Sequence, residues 1–226
     1  DGDDYILKAA YEHCLDIVRY HQPDIVTFNY CKKNKTIEPS YELPTPVTGT
    51  YFLKNNNLQG SACSYIFRHS IIGSLQFTPG LIYGEDEEFT PKLFLRAERI
   101  FKTNTEAYFY RDNKNSVSHQ YTKEKIQLRM DNSLEVLLHL QQLLDKLPIA
   151  ERQALSRRIA QLSMDYLYNN IRLHHSLISL NQAINNLREH GLYPLPDKKY
   201  TKKYTMFRRA INTYLGRIAL LFFVKK

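Results

Sequence analysis

Asp1-Gly2-Asp3-Asp4-Tyr5 opens the chain, and the reading of that stretch decides the fold. Three carboxylates within four residues repel one another unless a cation neutralises them. A set made only of carboxylates suits a hard divalent ion such as Mg2+ or Mn2+, which keeps several waters and binds substrate phosphates. Asp-rich turns are also common as solvated loops, so the cluster alone leaves both readings open. A calcium-binding EF-hand loop competes, because Asp1, Asp3 and Glu12 fall at three of its ligand positions. It fails at Ile6, where the turn glycine belongs, and at Tyr5, where an oxygen-rich ligand belongs. An acidic cluster of this kind needs a strand to present it, so the sequence is expected to begin inside a larger domain.

Outward from the cluster, residues 5–21 carry apolar positions at helical spacing (Ile6, Ala10, Cys14, Ile17, Val18), closed by Pro23. Asp24-Ile-Val-Thr-Phe-Asn-Tyr30 reads as a buried strand. Residues 32–47, polar and with three prolines, form a surface excursion, and a short helix follows Thr48-Gly49. Ser64 to Arg68 reads as a strand running into a helical turn at His69 to Ile72. Thr90-Pro91 signals a helix start, with Thr as N-cap and Pro at the first helical position. Two further strands are expected, at Arg99–Thr103 and Ala107–Arg111. From Thr122 the pattern is helical, in two long stretches (122–147 and 149–189) split by Pro148, with Asn181 capping a final segment. His174 and His175 fall mid-helix in this reading, facing different directions, with no function. A Lys-rich linker after Pro194 leads to a basic helix from about Phe207. The architecture expected is an α/β piece over residues 1–120 and a helical appendage over 121–226.

Two more groups carry chemistry. Glu85-Asp86-Glu87-Glu88 stands at a helix entrance, where the helix dipole accounts for one or two acids but not for four in a row. A carboxylate held there can take a proton from a sugar hydroxyl, a contribution of roughly 10²–10⁴-fold for a positioned base. Arg111, after Tyr108-Phe-Tyr110, is placed to grip a phosphate bidentately, although an Arg at a strand end is more often a surface ion pair. His119 offers a third ligand to an ion, against the commoner state of a solvated loop histidine.

The order of these pieces resembles the bacterial family 2 glycosyltransferases of the GT-A fold. Asp1-Gly2-Asp3-Asp4-Tyr5, with the helix and strand after it, is similar to their D-S-D-D-Y/W segment. Ser64-Tyr-Ile-Phe-Arg68-His-Ser-Ile-Ile72 is similar to W-x-K-L-Y-R-R-S-L-L, Tyr83-Gly-Glu-Asp-Glu-Glu-Phe89 to Y-x-E-D-x-x-F, and Tyr108-Phe-Tyr-Arg111 through Ser116-Val117 to Y-Y-Y-R-x-x-x-x-S-I. The four motifs span residues 1 to about 119. The resemblance implies a partial GT-A (Rossmann-like) catalytic domain that performs sugar transfer with inversion from a nucleotide-sugar. The acceptor it implies is a saccharide or lipid-linked molecule of cell-surface polysaccharide synthesis. It puts Asp1 and Asp3 on a Mg2+ or Mn2+ that bridges the donor diphosphate, with Arg111 on the donor. Asp86 becomes the general base on the acceptor hydroxyl, Glu85 assists placement, and Tyr65 and Tyr83 meet the acceptor. The family's Trp falls at about Cys63, so the acceptor-stacking platform is either missing or supplied by Tyr65. Gly2 replaces the usual Ser, and the strand-helix units that bind the nucleotide base are not in this sequence.

Composition narrows the rest. Cys14, Cys31 and Cys63 are odd in number and form no CxxC pair, which excludes a disulfide framework and fits a cytoplasmic protein. No apolar run approaches the roughly 20 residues needed to span a bilayer. The net charge of +8 lies entirely from Arg188 onward, where ten Lys/Arg face two Asp/Glu, while the preceding residues balance at 21 of each sign. A basic tail suggests an anionic partner, and the apolar run Ile218–Val224 between basic residues favours lipid over nucleic acid. Residues 207–226 are therefore expected to form one helix peripheral to the inner face of a membrane, burying Ile211, Tyr214, Leu215, Ile218 and Phe222. In that helix Arg208, Arg209, Arg217, Lys225 and Lys226 meet lipid phosphates. The same face could instead dock on the helices of 122–189. Two rivals to an active transferase stand: a non-enzymatic membrane- or nucleic-acid-binding module, and an inactive glycosyltransferase fragment.

Overall fold

Alternating apolar residues build the sheet on which the acidic groups are carried. The structure, a computed structural model, describes residues 4–32, 43–111 and 122–224. Asp1, Asp3, Ser116, Val117, His119, Lys225, Lys226 and most of the 32–47 excursion therefore lie outside the described residues. The chain divides into two compact units, Asp1–Pro79 with Asp86–Gln120, and Gly80–Glu85 with Tyr121–Lys226.

In the first unit, four strands run in the order β1-β4-β2-β3: β1 (Tyr5–Ile6), β2 (Ile25–Cys31), β3 (Tyr65–Phe67) and β4 (Ile100–Phe109). β2 and β4 are parallel, pairing Ile25 with Ile100 and Cys31 with Phe109, while β1 and β3 flank them antiparallel. Helix α1 (Lys8–His21) lays Ala10, Cys14 and Ile17 on Val26, Phe28, Phe101 and Ala107. The alternation along β2 and β4 sends Ile25 and Ile100 to the opposite face, both fully buried. Helices α2 (Gly49–Asn55) and α3 (Glu85–Phe94) meet edge to face through Phe52 and Phe94, with ring centroids 5.2 Å apart. All three cysteines are free.

Three expectations for this unit are corrected. Tyr5 and Ile6 are strand, not helix, because their backbone pairs with Phe109 and Tyr108 and Tyr5 stacks on Phe109 at 4.6 Å. The two strands expected between residues 99 and 111 are one, its register against β2 shifted by irregularities around Asn29. Helix α3 starts five residues before Thr90. Gly84 takes a positive φ of 79° that turns the chain into the helix, and the acids after it occupy its first turn, where the dipole favours them. Thr90 is then internal, and its Oγ1 donates sideways to the Gly60 carbonyl at 2.6 Å instead of capping.

The second unit is helical: α4 (Lys123–Leu143), α5 (Ile149–His174), α6 (Leu177–Glu189), α7 (Lys202–Ile211) and α8 (Tyr214–Phe223). Two long patterns break where sequence periodicity continued. His175 adopts φ 49° and Ser176 caps α6 through the Ser179 N–H, so the expected 149–189 helix is two; Asn181 is not the cap, and His174-His175 end a helix rather than sit inside one. Near the end, the Asn212 side chain bonds both the N–H and the carbonyl of Leu195, at 3.1 and 3.0 Å. Thr213 caps α8 by accepting from Gly216, and a Cβ on Gly216 would fall 2.1 Å from the Ala210 carbonyl oxygen. The single helix expected from Phe207 is therefore the end of α7 followed by a tight turn into α8. Its residues do not share one buried face: Ile211 is buried, whereas Tyr214, Leu215 and Phe222 are exposed. Among the described residues, no helix is long and apolar enough to cross a membrane.

Candidate active site

The site grows from the first turn of α3. Asp86 is its second residue, and its Oδ2 accepts the backbone N–H of Ala62 at 3.1 Å. That bond exists because the chain at 60–62 lies directly against α3. Gly60 has no side chain to hold it off, since a Cβ there would meet Glu87 Oε2 at 2.2 Å, and its carbonyl takes the Thr90 hydroxyl. Burial raises the Asp86 pKa above the ordinary carboxylate value, and the Glu87 charge adds to it, while the Ala62 N–H pulls the other way. A half-buried carboxylate with a raised pKa and one fixed hydrogen bond has the properties of a proton acceptor.

Of the other acids in the run, Glu88 is buried and takes Thr78 Oγ1 at 3.1 Å together with an ion pair to Lys92, so it braces the helix. Glu85 is the first residue of α3 and is grouped with the second unit. In that unit the Tyr83 N–H donates to Asn132 Oδ1 at 3.2 Å, and the Arg129 guanidinium lies 4.9 Å from the Tyr83 ring centroid.

A second group forms where β1 and β4 meet. Asp4, just before β1, accepts the Tyr108 hydroxyl at 2.8 Å with Oδ2 and the Arg111 N–H at 2.7 Å with Oδ1. Desolvation, then Asp4 and the nearby Cys63 thiol, raise the Tyr108 pKa, so the phenol stays protonated and donating. Cys63 belongs to the 3-10 turn Ala62–Ser64, whose first residue holds Asp86. One short turn thus borders both the Asp86 carboxylate and the Asp4–Tyr108–Arg111 group.

The sequence-predicted residues fare differently. Asp86 and Arg111 both belong to the first unit, where Arg111 meets Asp4 and Asp86 meets Ala62. Arg111 is exposed, with its backbone already joined to Asp4. Tyr65 does not offer a stacking platform: it is buried, its hydroxyl meets Thr90 at 3.0 Å, and its ring packs on Phe94. Desolvation pushes its pKa up to about 12. Asp1 and Asp3 lie outside the described residues, and among those described no three His, Cys, Asp or Glu side chains gather to hold a metal. The role of the Ala62 amide escaped sequence reasoning because a backbone N–H has no residue signature. Tyr108 stood in a quoted motif without a role, since nothing local says that its partner is Asp4.

A mixed sheet with a central parallel pair and the helices after it together define a partial α/β domain with a helical C-terminal part. The particular relatives follow from comparison with known proteins. The chain is 26% identical over 130 residues to the uncharacterised glycosyltransferase EpsJ of Bacillus subtilis, a match covering 52% of this chain and 38% of that protein. The crystal structure of S. aureus TarS 1-349 in complex with UDP-GlcNAc superposes with a TM-score of 0.63 at 20% identity, over 98% of this chain and 63% of that one. The same TarS segment in complex with UDP superposes with a TM-score of 0.59 at 18% identity, over 96% of this chain and 63% of that one. No family model matches. The likeness to GT-A-type glycosyltransferases read from the motifs is thereby shown, for a chain that spans less than two thirds of the length of each of these relatives.

Proposed function

We propose that this chain carries the acceptor-side chemistry of an inverting glycosyltransferase using a nucleotide-sugar donor. The observation that carries the reading is the Asp86 carboxylate, fixed by the Ala62 N–H and raised in pKa, inside the Tyr83–Phe89 motif. In the proposed step Asp86 takes the proton of an acceptor hydroxyl as the hydroxyl oxygen bonds to the anomeric carbon of the donor sugar, from the face opposite the leaving diphosphate. The bond from that carbon to the diphosphate oxygen breaks with inversion, and the nucleoside diphosphate leaves with the electron pair. Glu85, beside the base, orients the acceptor, and Tyr83 gives it an aromatic face. Arg111 is the cation proposed for the donor phosphates.

Asp4 is a poor ligand for an ion, because both its oxygens already accept hydrogen bonds. Asp1 and Asp3, hard oxygen donors of the same cluster, are the residues proposed to hold Mg2+ or Mn2+. Such an ion supplies neutralisation of the charge developing on the leaving diphosphate. A saccharide or lipid-linked acceptor of cell-surface polysaccharide, met at the cytoplasmic face of a membrane where nucleotide-sugars reside, completes the reading.

The test is transfer from UDP-GlcNAc, the nucleotide-sugar bound in the TarS complex, to saccharide acceptors, with Mn2+ titrated into wild type and Asp3→Ala. Metal-dependent transfer that Asp3→Ala weakens supports the assignment. Unchanged Mn2+ affinity in Asp3→Ala removes the metal site. Absence of transfer with every nucleotide-sugar tried, from a folded protein, favours the inactive fragment instead.

A further inference from the structure

The second unit contains an apolar groove of about 690 Å³ that has no part in the chemistry at Asp86. It runs between α5, α7 and α8, and its walls include Met164, Tyr168, Met206, Phe207, Ala219 and Phe223. The carboxylate on its wall, Asp165, accepts the Tyr204 hydroxyl at 2.9 Å on each oxygen, so the acid and the phenol are turned to one another. Beside the groove, α8 exposes Phe223 by 83%, Phe222 by 81% and Leu215 by 78%. On the neighbouring α7, Lys202, Lys203 and Arg209 are exposed, and Lys203 itself borders the groove.

Of the other basic residues expected at lipid, Arg208 and Arg217 are engaged within the protein, and Lys225 and Lys226 lie outside the described residues. Arg208 pairs with Asp197 at 2.7 Å. Arg217 donates to the Ile211 carbonyl, Asn181 and the Tyr193 hydroxyl, at 3.0, 3.3 and 3.0 Å.

We propose that the α7–α8 hairpin seats the second unit on an anionic phospholipid surface, with one acyl chain entering the groove. Charge and shape select this occupant. Lys202, Lys203 and Arg209 call for an anion, which a neutral lipid lacks. The apolar walls call for methylenes, which a free phosphate or a nucleic acid lacks. An extended peptide would leave its own backbone groups facing those walls without partners. A ten-residue helix is only about 15 Å long, half the thickness of a bilayer core, so α8 lies in the interface with its phenylalanines immersed. This surface is independent of the transfer reaction, and its test needs no donor or acceptor.

Co-sedimentation of the full chain with vesicles of equal parts phosphatidylcholine and phosphatidylglycerol decides the matter. Wild type binds them at low salt, releases at high salt and ignores pure phosphatidylcholine. Phe222→Ser with Phe223→Ser weakens binding by about tenfold or more. Lys202→Glu with Lys203→Glu abolishes the preference for anionic vesicles. Ala219→Phe, which fills the groove and leaves the exposed aromatics in place, also weakens binding, while soluble glycerophosphate does not compete. Circular dichroism confirms that each variant is folded. Wild type that never binds anionic vesicles overturns the proposal, as does binding indifferent to all three changes. So does a concentration-dependent dimer, seen by light scattering without vesicle binding and dissolved by the phenylalanine changes, since a second copy would then cover the groove.

Discussion

The Tyr108 hydroxyl donates to the Asp4 carboxylate at 2.8 Å across 104 residues of sequence, closing the end of β4 onto the chain that leads from the acidic cluster into β1. The second oxygen of the same carboxylate takes the Arg111 N–H at 2.7 Å. Asp4 therefore works as a clasp between the segment proposed to bear the metal carboxylates and the arginine proposed for the donor. Its neighbours in the cluster are candidates for chemistry because Asp4 itself is engaged.

Tyr108→Phe leaves the ring in place and removes the donor. Loss of a hydrogen bond to a charged group costs about 1.5–3 kcal/mol when the site is buried, and about 1 kcal/mol is expected for this part-buried pair. Thermal unfolding should move down by roughly 2–4 °C for a chain of this size. An unchanged melting temperature would show that the clasp contributes nothing to stability.

Asp86→Asn should slow transfer by roughly 10²-fold or more without loss of fold, because the amide oxygen still accepts from Ala62 but no longer takes a proton. Its thermal stability at neutral pH should equal or exceed that of wild type. The sign follows from burial. With the folded pKa raised, the favourable contribution belongs to the protonated form, present at low pH and lost as pH rises through the folded value. The variant is relieved of that loss. If Glu85→Gln proves far more damaging to turnover than Asp86→Asn, the base has been misassigned.

The pH profile of transfer gives an independent reading. Only ionised Asp86 accepts a proton, so activity should fall on acidification through a pKa above that of an exposed aspartate. Asp86→Asn should lose this acidic limb; a limb that persists in the variant assigns the titration to another group.

Gly49→Ala and Gly60→Ala separate two kinds of close approach. A Cβ at Gly49 would stand 1.6 Å from the Phe94 carbonyl oxygen, which is backbone at the end of α3, so a loss on the order of 3 kcal/mol is expected in chemical denaturation. At Gly60 the obstacle is the tip of the Glu87 side chain, which can swing away. The loss there should be smaller, and transfer little changed, since displacing the Glu87 tip leaves the Ala62 amide on Asp86.

Arg217→Met keeps the aliphatic stem and deletes the three hydrogen bonds that tie α8 to Ile211, Asn181 and Tyr193. About 2–3 kcal/mol of stability should be lost. The exposed Arg209, changed the same way, should leave the melting temperature within its error.

Much of this protein was legible in its sequence because the relevant forces act over short spans. The apolar spacing of Ala10, Cys14 and Ile17 fixed a helix face, and the run from Ile25 fixed a buried strand, since each pattern repeats within a few residues. The acidic run at 85–88 and the basic tail were likewise visible as composition, and they motivate the chemistry proposed at Asp86 and the surface proposed on α7 and α8. Tertiary packing decided the rest. Thr90 carries a good capping side chain, yet the Gly60 carbonyl, 30 residues away, claims it and the helix starts earlier. The pattern from 207 to 226 is helical throughout, but Asn212 is drawn to Leu195 and divides it. Tyr65 has the chemistry of a stacking platform and is buried against Phe94 instead. Asp86 gains its fixed orientation from a backbone amide 24 residues away. Each of these outcomes depends on which distant groups the folded chain brings within hydrogen-bonding or van der Waals reach, and that selection is made by the packing of whole elements, to which no local window of residues has access.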